Sequence, residues 1–241
     1  ILARVPKKRQ TMLFSATMSP DIRKLAMAQM VDPQEILVSR DEPVLDLTRQ
    51  YSLVVEKFVK NDALTTILDK DRPKAIVFCN AKHRADRQAK RLAARGYPTG
   101  TIHGNVAQNK RERVLKGFKD GAIRILVATD VAARGLDIED VDLVVNFDVP
   151  NDPDTYIHRI GSTGRAGAEG TAISFFMPDE QPLIKDFVKR TGKPIEPMEL
   201  EIVRSPEPEF RRPAPAQYKR REPSRPPRAS GDKPQGTPHA K

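Results

Sequence analysis

Three stretches of this sequence set glycine beside threonine, aspartate or arginine next to short apolar runs, where a chain can offer amides and charged groups to a bound ligand. In Ala128-Thr129-Asp130-Val131-Ala132-Ala133-Arg134-Gly135-Leu136-Asp137, which follows the run Ile123 to Ala128, the Asp137 carboxylate can accept hydrogen bonds from ribose hydroxyls. Gly135 permits close backbone approach. A helix cap or local turn is the plainer role for Asp137. His103-Gly104-Asn105, followed by Gln108-Asn109-Lys110-Arg111, offers backbone N–H groups and a guanidinium, the donors that hold phosphates without reading bases. A surface salt bridge from Arg111 to Glu112 or Asp120 is the alternative. Tyr156-Ile157-His158-Arg159-Ile160-Gly161-Ser162-Thr163-Gly164-Arg165-Ala166-Gly167 brings Arg165, a planar and permanently charged group. A fourth and shorter block, Ser15-Ala16-Thr17, is worth little alone.

Other chemistries fail on context. No Gly-rich loop ends in Gly-Lys-Thr or Gly-Lys-Ser: Thr191-Gly192-Lys193-Pro194 lacks the upstream glycine and runs into proline. Gly161, Gly164 and Gly167 precede an apolar run, whereas a dinucleotide fingerprint follows one. Cys79 is the only cysteine, which excludes an internal disulfide and a cysteine-only metal site and suits core filling in a reducing compartment.

The elements that must position these blocks alternate short β-branched runs with amphipathic stretches, the pattern of β-α units around a parallel sheet. Strands are expected at residues 11–14, 35–38, 51–55, 74–79, 99–102, 123–128, 143–146 and 170–176. Helical spacing covers 20–30, 60–68, 81–95, 107–119 and 179–191. Runs as continuously apolar as Ala75-Ile76-Val77-Phe78 call for helices on both faces of the sheet.

Composition changes near residue 203. Residues 203–241 hold nine prolines and ten Lys or Arg against four Asp or Glu, with Phe210 and Tyr218 the only aromatics. Such a segment cannot bury a core and is expected to be a disordered basic tail, either a sequence-blind RNA tether through Arg211, Arg212, Lys219, Arg220 and Arg221 or a plain solvated linker. The whole chain carries a net charge of +10, which points to a polyanionic partner, with a membrane surface or plain solubility as the alternatives that charge alone leaves open. No apolar run is long enough to span a bilayer and Ile1 to Gln10 lacks a secretory pattern, so a cytoplasmic protein without a membrane partner is expected. The first residue is Ile rather than Met, as in a piece of something longer.

The four blocks, in this order and spacing, resemble the second, carboxy-terminal RecA-like domain of the DEAD-box ATP-dependent RNA helicases, over residues 11 to about 192. Asn105 and the stretch Lys82-His83-Arg84-Ala85-Asp86 look most like the bacterial RhlE-type branch. The resemblance implies an α/β fold, a RecA-like parallel sheet with helices on both faces plus the disordered tail. Residues 1–40 would be a remnant of the first RecA-like domain, 41–50 a linker, 51–200 the helicase carboxy-terminal domain and 201–241 the tail. It also implies that the domain completes an ATP site across an interdomain cleft. Arg165 would act as an arginine finger on the transferred phosphoryl group, with His158 beside it in the catalytic set, and Arg134, Gly135 and Asp137 would join Arg165 at the nucleotide. RNA contacts fall on Gly104, Gln108, Arg111 and Thr129, and Ser15 and Thr17 couple ATP state to domain closure.

The family carries a second arginine where this chain has Ser162, which brings no charge. The acidic motif that names the family is absent, and Asp41-Glu42-Pro43-Val44 lies on the wrong side of Ser-Ala-Thr. ATP and Mg2+ are therefore expected only together with a first domain, and this chain alone is expected to be inactive as an ATPase. RNA, as single strand or short duplex bound without sequence preference, is the expected partner, together with ribonucleoprotein or RNA-degradation proteins. Two rivals stay open: a non-catalytic RNA-binding module, and a protein-interaction domain from a truncated gene.

Overall fold

A computed structural model of the chain describes residues 5, 6, 8–15, 18, 20–36, 47–133, 138, 140–164 and 169–203. The chain divides into two units, Ile1–Pro208 and Glu209–Lys241. The second unit and the expected basic tail beyond residue 203 lie outside the described residues, as do Ala16, Thr17, most of the expected linker, and residues 134–137 and 165–168.

Within the first unit the order is α1 (Pro20–Gln29), β1 (Thr48–Val54), α2 (Lys60–Asp69), β2 (Ala75–Phe78), α3 (Lys82–Ala94), β3 (Thr99–Ile102), α4 (Gln108–Lys119), β4 (Ile125–Ala128), α5 (Asp130–Ala133), β5 (Leu143–Asn146), α6 (Pro153–Ile160), β6 (Gly170–Phe176), a 3-10 turn (Pro178–Glu180), α7 (Leu183–Thr191) and β7 (Glu196–Pro197). The seven strands form one sheet in the order β3-β4-β2-β5-β6-β1-β7, and every pairing is parallel. All four residues of β2, β4 and β5 are buried, because a strand covered on both faces has no wet side.

Alternate residues of those strands feed two separate cores. Ile76, Phe78, Leu126, Ala128 and Val144 face Val114 and Phe118 of α4, Tyr156 and Ile160 of α6, and Phe187 of α7. Ala75, Val77, Ile125, Val127 and Val145 face Leu64 and Leu68 of α2 and Ala85, Ala89 and Leu92 of α3. The expected helices on both faces are present. On the first side Tyr156 stacks on Phe187 with ring centroids 4.4 Å apart.

Several expectations need correction. Residues 11–14 are not a strand but irregular chain, since an apolar run becomes a strand only where a neighbour shares its backbone hydrogen bonds, and no described strand pairs with it. Residues 35 and 36 are likewise irregular. None of the described residues before 37 is buried, and Met12, Phe14, Leu25, Met27, Val31 and Ile36 are exposed. The helix expected over 179–191 is a 3-10 turn followed by α7, separated at Gln181 and Pro182. Three elements were missed: α5, α6 and β7. The helix α6 starts at Asp152, whose carboxylate accepts from the Thr155 amide, with proline at the first turn; β7, two residues long, ends on Pro197.

Cys79 is fully buried on the α2/α3 side, and burial first, then the nearby Asp148 carboxylate, pushes its thiol up to about 12. The native chain is expected to resist alkylation at pH 8 and to label fully once unfolded in guanidinium. Rapid labelling of the native protein would contradict this placement. Because the folded pKa lies above the ordinary thiol value of 9.0, this group's contribution to stability is complete below about pH 9 and is lost as pH rises toward 12.

Candidate nucleic-acid and nucleotide half-site

The carboxyl ends of β2, β4 and β5 meet at one buried cation. Arg159 of α6 is 1 % exposed and every guanidinium N–H has an acceptor. Nε and Nη2 donate to the two Asp130 carboxylate oxygens at 2.6 and 2.9 Å, Nη2 also to Asn80 Oδ1 at 2.8 Å, and Nη1 to the Asp148 carbonyl at 2.6 Å and Asn146 Oδ1 at 3.3 Å. Its carbon lies 5.1 Å from the centroid of the Phe78 ring. Asn146, itself buried, donates to Ser174 of β6, and the Asp148 carboxylate takes the Asn80 amide and Arg84. One side chain thus ties the ends of β2 and β5 to the start of α5. It was read only as part of a block, and no sequence signal marks an arginine as buried.

Residues 134–137 leave from the end of α5, which Asp130 begins. Residues 165–168 leave from the turn that follows α6, which carries Arg159. The Arg159–Asp130 pair therefore fixes the points of departure of both segments. The second departure is tight. A Cβ added to Gly170 would collide with Thr163 Oγ1 and the Gly164 amide, Gly164 has φ of +68°, and the Thr163 hydroxyl donates to the Val141 carbonyl. Arg134, Gly135, Asp137 and Arg165 themselves lie outside the described residues. What is described is the ion pair that joins α5 and α6, the elements preceding those two segments in the chain. Among the described residues no group of three or more His, Cys, Asp and Glu is placed to hold a metal.

His158 is half-buried on α6 and its backbone carbonyl accepts from Ser162 Oγ at 3.3 Å. The Ser162 hydroxyl is turned back on its own helix. Ser15 sits in the irregular, exposed chain before α1, outside the sheet.

Of the residues expected at RNA, Arg111 and Thr129 are joined through Ala132 beyond the carboxyl end of β4. Arg111 does not pair with Glu112 or Asp120; its Nη2 donates to the Ala132 carbonyl at 2.7 Å. Glu112 accepts instead from Gln108. The Thr129 carbonyl accepts from the Ala132 amide, and the Thr129 amide donates to Ile102 at the end of β3, one residue before His103 and Gly104. Gly104, Arg111 and Thr129 are thereby linked through β3, α4 and α5, while Gln108 is exposed on the first turn of α4. His103 is buried and its Nε2 lies 2.9 Å from Asp86 Oδ1, while its Nδ1 accepts from the Asn105 amide. That pairing places the ring proton on Nε2. Lys82 Nζ donates to Asn105 Oδ1.

Residues 59–167 match the helicase conserved C-terminal domain. The DEAD-box ATP-dependent RNA helicase CshA of Geobacillus kaustophilus is 48% identical over 199 residues, which cover 82% of this chain and 43% of that protein. Two solved structures align over most of the chain. Dbp5 of S. cerevisiae bound to RNA and ADP BeF3 has a TM-score of 0.73 at 31% identity, over 80% of this chain and 52% of that one. The E. coli DEAD-box protein SrmB bound to regulator of ribonuclease activity A has a TM-score of 0.60 at 34% identity, over 67% of this chain and 97% of that one. The chain spans less than half the length of the curated relatives it matches. Those relatives are CshA helicases, so the RhlE-type placement is not supported. The residues behind it are also not independent signals, because Lys82 and Asn105 are hydrogen-bond partners.

Proposed function

Since the chain belongs to the DEAD-box RNA helicases as their carboxy-terminal helicase domain, we propose that it binds the backbone of an RNA strand through Gly104, Gln108, Arg111 and Thr129 and supplies half of an ATP site. The other half would come from a first RecA-like domain. The observation that carries the reading is the Arg111–Ala132 hydrogen bond, which holds a guanidinium beside Thr129 at the carboxyl edge of the sheet, where α/β folds take ligands. Asp137 would accept from the ATP ribose, with Gly135 and Arg134 beside it, and Arg165 would face the transferred phosphoryl group. His158, on the helix that carries Arg159, would position this block. ATP supplies a phosphoanhydride whose cleavage resets closure, and Mg2+ would screen its charge on the first domain's side. This chain's residues would orient the ribose, bind RNA phosphates and meet the charge that develops on the phosphoryl oxygens. Ser15 and Thr17 would couple the two sites.

ATPase and strand-separation assays on the chain alone, and after a first domain is supplied, test this directly. Activity only on supplementation is expected. RNA binding without rescue would favour a non-catalytic module, and neither would favour protein interaction. Arg111→Ala is expected to weaken single-strand RNA binding about tenfold and to flatten the salt dependence by about one phosphate contact, as fluorescence anisotropy across a salt series would show. A salt-insensitive complex would count against this surface. In a protein that includes a first domain, Ser162→Arg is expected to raise RNA-stimulated ATPase about tenfold or more by adding a cation near the developing charge; an unchanged rate would mean that Arg165 suffices.

A further inference from the structure

The opposite edge of the sheet holds a cavity that the helicase reading does not use. It measures about 740 Å³ and lies between the end of α2, the end of α3 and the residue before β4. Three arginines line it, Arg72, Arg95 and Arg124. Their situations differ in an informative way. Arg95 is held in place, donating to Thr65 Oγ1 at 3.0 Å and lying 3.6 Å from Asp62 Oδ1. Arg124 is not satisfied: its Nη1 is buried and has no hydrogen-bond partner among the described residues. Arg72 is exposed, and with Asp71 it sits in the left-handed region, at φ of +46° and +58°, which non-glycine residues seldom occupy without a local reason.

The one carboxylate lining the cavity, Asp69, already accepts from the Tyr97 hydroxyl at 2.6 Å. Tyr97 keeps its proton because burial and that bond push its phenol up to about 12. The Arg124 amide donates to the Pro98 carbonyl at 2.8 Å, which fixes the start of β4 against this wall. A buried guanidinium nitrogen without an acceptor is costly, and planar arginine donors match the oxygens of a phosphate in pairs. A cavity of this size suits a compact ligand.

We infer that this cavity is a second anion site, in which Arg124, Arg95 and Arg72 bind a phosphate group. The strands run between the two edges, so a ligand here and a strand at Gly104 and Thr129 occupy opposite ends of β3 and β4. The phosphate can come from a small phosphorylated molecule or from an RNA backbone that wraps around the domain. The site does not depend on the RNA and ATP roles proposed above.

The test uses the full chain and two probes at matched ionic strength, inorganic pyrophosphate and an eight-nucleotide single strand, read by the amide resonances of Gly96, Tyr97 and Arg124. Saturable shifts at these residues with pyrophosphate are expected, weakened about tenfold by Arg124→Gln and also by Arg72→Gln, since each removes a charge-assisted contact. Arg72 is exposed, so the second variant keeps the test sound if the first one folds poorly. Shifts here with the oligonucleotide alone, equally sensitive to both variants, would support the site with RNA as its phosphate source. Unmoved resonances with both probes, or binding that neither variant weakens, would overturn the proposal, whatever the fate of Arg111→Ala at the other edge.

Discussion

Replacing Arg159 with methionine is expected to destabilise the domain by about 3–5 kcal/mol, the usual cost of leaving a buried charge without its partner. In a domain of this size that lowers Tm by roughly 10 °C or more. The cost exceeds that of a surface ion pair because the lost groups are enclosed. Asp130, Asn80, Asn146 and the Asp148 carbonyl all turn toward the guanidinium and would face a methyl group. Arg159→Lys is expected to recover only part of the loss, since an ammonium has three donors and no fork. Pairing Arg159→Met with Asp130→Leu should recover more, since the carboxylate disappears with its partner. Thermal unfolding of the three variants checks this. Equal stability of wild type and Arg159→Met would show that the network contributes little.

The second large effect concerns rate. In a protein that includes a first domain, Arg165→Ala is expected to lower RNA-stimulated ATP hydrolysis by about 10³-fold or more, with ATP and RNA affinities changed far less, because an arginine finger acts on charge that develops in the transition state. With serine at position 162 and the Arg159 guanidinium enclosed by its own acceptors, no other arginine of this block stands in reserve, so the loss should lie nearer the upper end of the range, about 10⁵. Single-turnover kinetics separate this from a binding defect. A fall in affinity matching the fall in rate would move Arg165 from catalysis to ground-state binding. Arg159→Met should depress the same rate by another route, since its ion pair anchors the elements from which residues 134–137 and 165–168 depart.

Much of the sheet was legible because strands covered on both faces announce themselves. Leu143–Asn146 and Gly170–Phe176 fall within bounds drawn from apolar runs alone. The helix α6 has an ordinary helix start in Asp152 and Pro153, but its eight residues are too few to show a helical period of their own. Residues 11–14 misled in the opposite sense, since strand character depends on partners that composition does not reveal. At the site, residue types placed Gly104, Arg111 and Thr129 after apolar runs, and the structure has them beyond the carboxyl ends of β3 and β4; the partner Arg111 has here was not foreseen, because Ala132 is 21 residues distant and reaches it only through the β3–β4 pairing. Arg159 was invisible as a hub because its acceptors are scattered from Asn80 to Asp148.

The place of β1 in the sheet has a consequence for synthesis on the ribosome. This strand lies between β6 and β7, and Arg49 meets Glu169 across 120 residues of chain. At about 5–20 residues per second, β1 waits roughly 6–24 s for its neighbour to be translated. During that interval a strand with both edges unsatisfied is open to pairing with a neighbouring nascent chain, so slowed elongation between residues 55 and 170 should raise misassembly more than the same delay placed after β6.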